Sequence, residues 1–337
     1  MITISLCMIV KNEEKILKRC LDSVADLVEE LIIVDTGSTD ATMKIAAEYP
    51  GVKLYEFKWI DDFSAARNFA FSKATQEYIY SADADEVLDE ENRERFKILK
   101  EAMLPEIEIV QMKYGNQLRF GTVYNYDEEY RPKLFKRLRS FKWHEAIHET
   151  INVTPVIYDS DVVITHMPEQ LNAGRDFSAF ARLIHKGERL SKRLLNMYAK
   201  ELLIAGEDTD FLQAGSYFEE SAKDTQRDKE EVKEACLITA AAARRSGDEL
   251  KFFKYATKVI ASGGCSEICC ELGSFYYNKK DFEEAAIWFY NACYQTEVLL
   301  ALKTSGKEPM NRLADCYDQM GLFDLAESYR KEAEDRP

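Results

Sequence analysis

The sequence predicts an α/β domain with a mostly parallel sheet over residues 1–170 and an all-α helical-repeat domain over 196–337, linked by an amphipathic helix over 171–195. Three observations carry this. Hydrophobic periods of 2 and of 3.6 alternate through the first 170 residues. From about Asn172 only the helical period remains. Within that helical half, aromatic and small residues recur at roughly fixed spacing. A chain of 337 residues has room for two domains, and its 14 glycines and 7 prolines suit a helix-rich fold.

Strand-like runs cover residues 2–9, 30–35, 52–57 and 77–82, and helical runs cover 13–25, 41–48 and 64–74 between them. The order β-α-β-α-β-α-β implies parallel strands with helices on both faces. A helix is expected over 90–102. Strand-like runs follow at 106–113, 117–124, 133–137 and 155–165, with hairpin rather than crossover spacing. Next comes the linking helix, whose residues 175–195 read as one amphipathic stretch.

The best repeat unit is Cys269-x-x-Leu272-Gly273-x-x-Tyr276, continued by Ala285-x-x-x-Phe289-x-x-Ala292. Small residues fall where two helices would cross, and large ones lie beside them, as in the tetratricopeptide (TPR) pattern. Leu313, Ala314, Tyr317, Ala326 and Ala333 repeat it after an insertion near residues 304–309. Weaker copies place Tyr198, Ala214 and Phe218, then Cys236, Phe253 and Ala256, in matching slots.

Several classes are excluded. The net charge of −15 is shared by both halves, which argues against a general nucleic-acid binder, since that needs a basic face. No run of 18 apolar residues exists to span a membrane. The first ten residues lack a basic leader and read as a strand. Eight cysteines without a C-x-x-C pair suit a reduced, cytoplasmic setting, and Cys265 and Cys269 are expected as small core residues. The sequence leaves room for a homodimer.

Chemistry concentrates at the strand ends. Asp83 and Asp85, in Ser81-Ala-Asp-Ala-Asp-Glu86, follow the fourth strand, where open α/β sheets face their ligand crevice. Two such carboxylates can meet Mg²⁺ or Mn²⁺ together with a nucleotide's phosphates. Taken alone, the pair equally fits an acidic helix cap. However, the second strand ends in Asp35, ahead of Thr36-Gly-Ser-Thr-Asp40, and can accept from a base N–H or a ribose hydroxyl. The first strand ends at Val10, and its loop, Lys11 to Glu14, can enclose a base. Arg67 falls in the first turns of the third helix, where a guanidinium can grip phosphate.

These segments, Met8-Ile-Val-Lys-Asn-Glu-Glu14, Val34-Asp-Thr-Gly-Ser-Thr-Asp40, Asp62-Phe-Ser-Ala-Ala-Arg-Asn68 and Ala82-Asp-Ala-Asp-Glu86, resemble the motifs of family 2 nucleotide-sugar glycosyltransferases. The resemblance implies the Rossmann-like GT-A fold, a UDP-sugar donor and a Mn²⁺ or Mg²⁺ cofactor. It implies that Asp35 reads uracil and that Arg67 contacts the base or diphosphate. It also implies that Asp83 meets ribose or metal, that Asp85 binds metal, and that Val10, Glu14 and Ala84 line the donor site. A GT-A domain followed by TPR-like repeats further resembles bacterial enzymes that glycosylate peptides or proteins, bacteriocin S-glycosyltransferases and flagellin glycosyltransferases among them.

His144-Glu145-x-x-His148 matches the H-E-x-x-H zinc pattern, but it sits between strand-like runs and lacks the extended helix that such a site needs. The segment resembles instead the His-Glu region beside the acceptor of family 2 enzymes, with Lys133 where Arg is common upstream. His166 ends the last strand. A late His supplies a further metal ligand in many GT-A enzymes, so His166 is the first candidate and His148 the second. Glu149 is the first candidate for general base and Glu145 the second. The alternative for either is a salt bridge to Lys142 or Arg139. The cluster Arg131, Lys133, Lys136, Arg137, Arg139 and Lys142 suits a diphosphate, an acidic acceptor or a protected edge strand.

The expected activity is metal-dependent, inverting transfer from a UDP-sugar to a peptide or protein recruited by the repeats. The alternatives are transfer to lipopolysaccharide or another glycan, and a repeat scaffold with a non-catalytic UDP-sugar-binding module.

Overall fold

The computed structural model describes residues 1–115, 128–151, 155–168 and 173–336. They divide into two compact units, Met1–Asn172 and Ala173–Pro337.

In the first unit the strands are β1 (Ile4–Val10), β2 (Glu30–Asp35), β3 (Lys53–Glu56), β4 (Tyr78–Ser81), β5 (Glu86–Val87), β6 (Ile109–Gly115), β7 (Glu129–Lys136), β8 (Trp143–His144), β9 (Thr150–Ile151) and β10 (Ile157–His166). The helices are α1 (Leu17–Val24), α2 (Thr42–Ala46), α3 (Phe63–Lys73) and α4 (Glu90–Ala102). Eight strands form one sheet in the order β3-β2-β1-β4-β7-β6-β10-β5, and β8 pairs with β9 separately. β3, β2, β1 and β4 run parallel, as the β-α alternation requires. Period-2 alternation serves both faces: Leu6 and Met8 of β1 join the core that includes Phe96 of α4, while Cys7 joins the core under Ala70 and Phe71 of α3. Every residue of β2 is buried, as expected of a strand covered on both sides.

Two expectations change here. Hairpin spacing holds for β6 and β7, which pair antiparallel, but β10 runs parallel to β6. Spacing does not reveal which side of β6 the last strand takes, and β10 fills the edge that β7 leaves open. β7 is also no edge strand, because it lies between β4 and β6. Pro132 is tolerated there beside a register shift between Val110 and Gln111. The run expected over 117–124 lies outside the described residues.

The second unit is all helical: α5 (Ala173–His185), α6 (Lys192–Ala205), α7 (Asp208–Ser221), α8 (Lys229–Ser246), α9 (Glu249–Ala261), α10 (Ser266–Asn278), α11 (Phe282–Tyr294), α12 (Lys307–Gln319) and α13 (Phe323–Glu334). Of the stretch expected as one linking helix over 171–195, the described residues from Ala173 onward form parts of two helices rather than one. α5 stops before Gly187, which takes φ 77°, and Ser191 starts α6 by accepting the Leu194 amide. α8 packs on α9, α10 on α11, and α12 on α13, which makes the unit repeat-like and TPR-like. Gly273 of α10 lies where a Cβ would sit 2.8 Å from the Phe289 ring of α11. Tyr317 stacks on Tyr329 between α12 and α13, with centroids 5.4 Å apart. Before α12 the chain makes a short 3₁₀ turn at Leu302–Ser305. Buried Glu267 steadies this insertion by accepting the amides of Leu299, Leu300 and Ala301. All eight cysteines are free, and Cys265 and Cys269 are buried, as expected of core residues.

Candidate active site

The ends of β1 and β2 are joined by side chains that complete one another's loops. Asn12 Oδ1 accepts the Thr39 amide, the Asn12 amide donates to Ser38 Oγ, and the Glu13 amide donates to Thr42 Oγ1. Glu14 Oε2 accepts the Ala41 amide, while Asp40 accepts that of Glu14. Asp35 turns its carboxylate onto the amides of Gly37 and Ser38 at 3.1–3.2 Å. Gly37 permits this turn with φ 107°. The Val10 carbonyl accepts both the amide and the hydroxyl of Thr36, and its side chain is in the core.

β4 delivers Asp83, Ala84 and Asp85 to the neighbouring strand end. β5 returns immediately and pairs antiparallel with β10, which sets His166 opposite Glu86. The Met167 amide donates to the Asp85 carbonyl at 2.8 Å. His166 Nε2 consequently lies 3.2 Å from Asp85 Oδ2. Asp85 Oδ1 and Glu86 Oε2 are buried without a hydrogen-bond donor. The Asp85 carboxylate beside an imidazole fits a divalent cation that accepts mixed O and N ligands. Ala84 is buried in the core behind this turn.

Arg67 projects from α3, whose N-cap Asp62 accepts the Ala65 amide. Its guanidinium donates to Asp83 Oδ1 at 2.8 Å, to Ser81 Oγ at 3.3 Å and to Glu149 Oε1. Trp143 lies beside it, 5.5 Å from ring centroid to Cζ. Burial opposes the Arg67 charge, but Asp83 and Glu149 outweigh it and hold its pKa above the ordinary value. Burial likewise pushes the Asp83 carboxyl up, yet Arg67 and then Lys133 hold it well below the usual carboxylate range. Glu86 behaves oppositely. Its burial outweighs the paired Lys133, and its pKa is pushed up to about 7.

The segment carrying the H-E-x-x-H pattern is not helical. Trp143 and His144 pair with Ile151 and Thr150, and Glu145 and His148 take positive φ of 72° and 48°. His144 and His148 therefore share no helix face, and the zinc geometry is absent. Asn68 ties the segment to α3 by exchanging two 2.9 Å hydrogen bonds with the Trp143 backbone, and the Phe63 amide donates to the Ala146 carbonyl.

Residues 5–154 match the model of Glycosyl transferase family 2. They are a family 2 glycosyltransferase domain. The chain is 36% identical over 148 residues to the SPbeta prophage-derived glycosyltransferase SunS of Bacillus subtilis, covering 44% of this chain and 34% of that protein. It is 56% identical over 88 residues to a TPR repeat-containing protein of Synechococcus elongatus, covering 26% of this chain and 22% of that one. The chain thus spans about a third or less of the length of these relatives. Among solved structures, glucosyl-3-phosphoglycerate synthase from Mycobacterium tuberculosis, in complex with Mn²⁺, UDP and glucosyl-3-phosphoglycerate, aligns with a TM-score of 0.40 and 16% identity. It covers 56% of this chain and 82% of that one.

In this glycosyltransferase domain, Arg67 joins Asp83 and Glu149, and His166 meets Asp85 two residues along the same turn. Glu14 is committed to the Ala41 amide in the loop after β2, and Val10 to the Thr36 contact. Glu149 does pair with a cation, but with Arg67 rather than Lys142 or Arg139. The basic cluster divides. Lys136 and Arg137 donate to the carbonyls of Pro105 and Gln76, and Arg139 pairs with Glu108. Lys142 is exposed. Arg131 stacks on Tyr114, with Cζ 4.0 Å from the ring centroid, and Lys133 reaches Glu86. Sequence reasoning passed over Glu86, Tyr114 and Cys20, whose thiol donates to the Asp83 carbonyl. Only the inward phase of Lys133 on β7 hinted that a buried partner was needed.

Proposed function

We propose that the chain catalyses metal-dependent, inverting transfer of a sugar from a UDP-sugar to an acceptor. The observation that carries this reading is the meeting of Asp85 and His166 beside the Asp83–Arg67 pair, at the strand ends of a family 2 glycosyltransferase domain. Asp85 and His166 would hold Mn²⁺ or Mg²⁺, which when bound neutralises charge on the departing diphosphate. Asp35 accepts from the uracil, and Arg67 takes the diphosphate or base while Asp83 and Glu149 keep it oriented. Glu149 receives the acceptor proton, and Glu145 is the second candidate. A positioned carboxylate is worth about 10²–10⁴-fold. The eight free cysteines support a reduced, cytoplasmic setting, and among the described residues no helix is long and apolar enough to cross a membrane.

A glycan acceptor asks least of the chain, because the glycosyltransferase domain alone accounts for it. A peptide or protein acceptor asks in addition that the repeats over 196–336 capture it, and their stacked helix pairs support that role. The test is incubation of the protein with a panel of UDP-sugars and Mn²⁺, with mass spectrometry of glycan and peptide acceptors. UDP release that disappears in Asp85→Ala is expected. A folded protein that binds UDP-sugar yet releases no UDP would make the domain a non-catalytic module.

A further inference from the structure

Lys133 is 5% exposed and Glu86 is 2% exposed, and they form an ion pair. Burying both charges is costly, and a well-packed apolar pair would serve stability at least as well. The geometry suggests another use. β7 pairs with β4 so that Leu134 lies opposite Tyr80, which carries Lys133 to the end of β4. There its Nζ lies 3.4 Å from the Ser81 carbonyl and also reaches Glu86 Oε1. Ser81 and Glu86 are the residues just before and just after Ala82–Asp85. One buried ammonium therefore grips both ends of the turn that bears the two aspartates. Glu86 is in turn opposite His166 in the β5–β10 ladder, so the same contact fixes the strand that presents His166. The Tyr114 ring covers the group, 5.2 Å from Nζ and 5.1 Å from the His166 ring.

We propose that Lys133 is a positioning residue that sets the separation of Asp83, Asp85 and His166, and thereby the affinity for the divalent cation. This rests on the proposed reading of Asp85 and His166 as the metal-holding pair. Groups that orient metal ligands typically change metal affinity about 10–100-fold when removed.

The test pairs Lys133→Met with Glu86→Gln, so that no lone charge is left buried. A second pair, Lys133→Leu with Glu86→Met, guards against misfolding of the first. Mn²⁺ binding is read from the loss of the free-ion paramagnetic resonance signal, without UDP or turnover. Thermal midpoint and metal-free UDP affinity are measured alongside. The expected result is a folded double variant with near-parental metal-free UDP affinity and Mn²⁺ binding weakened about 10–100-fold. A folded variant that binds Mn²⁺ like the parent overturns the proposal. Equal losses of midpoint and both affinities also overturn it, because they mark a merely structural pair. If the parent and Asp85→Ala both fail to bind Mn²⁺, the metal reading itself falls, and this inference falls with it.

Discussion

Asp85 and His166 stand 81 residues apart in the chain, yet His166 Nε2 is 3.2 Å from Asp85 Oδ2. A two-residue strand brings this about. β5 leaves the Asp83–Asp85 turn, pairs with the end of β10, and sets His166 opposite Glu86. A side chain from β10 thereby joins a carboxylate from the turn after β4.

His166→Ala is expected to weaken Mn²⁺ binding by about 10-fold or more, because a ligand is removed from a site that keeps Asp85. Titration of Mn²⁺ by calorimetry in the presence of UDP checks this. An unchanged isotherm for His166→Ala, with a weakened one for His148→Ala, would transfer the role to His148.

Glu149→Gln is expected to lower kcat by about 10²-fold and also to weaken UDP-sugar binding, because its carboxylate orients Arg67. Arg67→Met should weaken donor binding further, since it leaves Asp83 and Glu149 without their shared cation. Steady-state kinetics with direct donor binding separates the two. Loss of donor affinity with kcat intact would make Glu149 only a holder of Arg67.

Gly273→Ala is expected to destabilise the helical unit by about 1–3 kcal/mol. The added Cβ would meet the buried Phe289 ring at 2.8 Å, which outweighs the gain in helix propensity of about 1 kcal/mol. Chemical denaturation of the full chain followed by circular dichroism measures the balance, and a higher midpoint would refute the packing argument.

Glu234 supplies a pH signature in the same unit. It is buried, accepts from Asn196 at 2.6 Å, and has Oε2 without a donor. Burial pushes its pKa from 4.5 up to about 7. The native state then holds a proton that the unfolded chain releases between these values. Stability should therefore fall as pH rises from about 4.5 to 7. Glu234→Gln should be close to neutral at pH 4.5 and should stabilise at pH 8, by on the order of 1–3 kcal/mol. Thermal melts across that range check it, and parallel curves for the two proteins would contradict it.

The sequence alone determined the alternation of strands and helices through β4, the strand-end positions of Asp35, Asp83 and Asp85, the place of Arg67 early in the third helix, and the packing slots of Gly273 and Phe289. Each is a local property, because period, capping and turn chemistry are written within a few consecutive residues. Tertiary structure decided the rest. Period 2 assigns a residue to a face of the sheet but not to a neighbouring strand. The parallel placement of β10 beside β6, and the meeting of His166 with Asp85, therefore followed only from strand order and register. Likewise, Glu149 had cations close by in sequence but took Arg67, because Asn68 ties the Trp143 backbone to α3. The amphipathic stretch over 175–195 read as one helix because its apolar period runs on through the Gly187 and Ser191 signals that divide it. Lys133 looked like one base among six. Its role appeared only when β7 was placed inside the sheet, where a buried ammonium must find partners and the ends of the Asp83–Asp85 turn supply them.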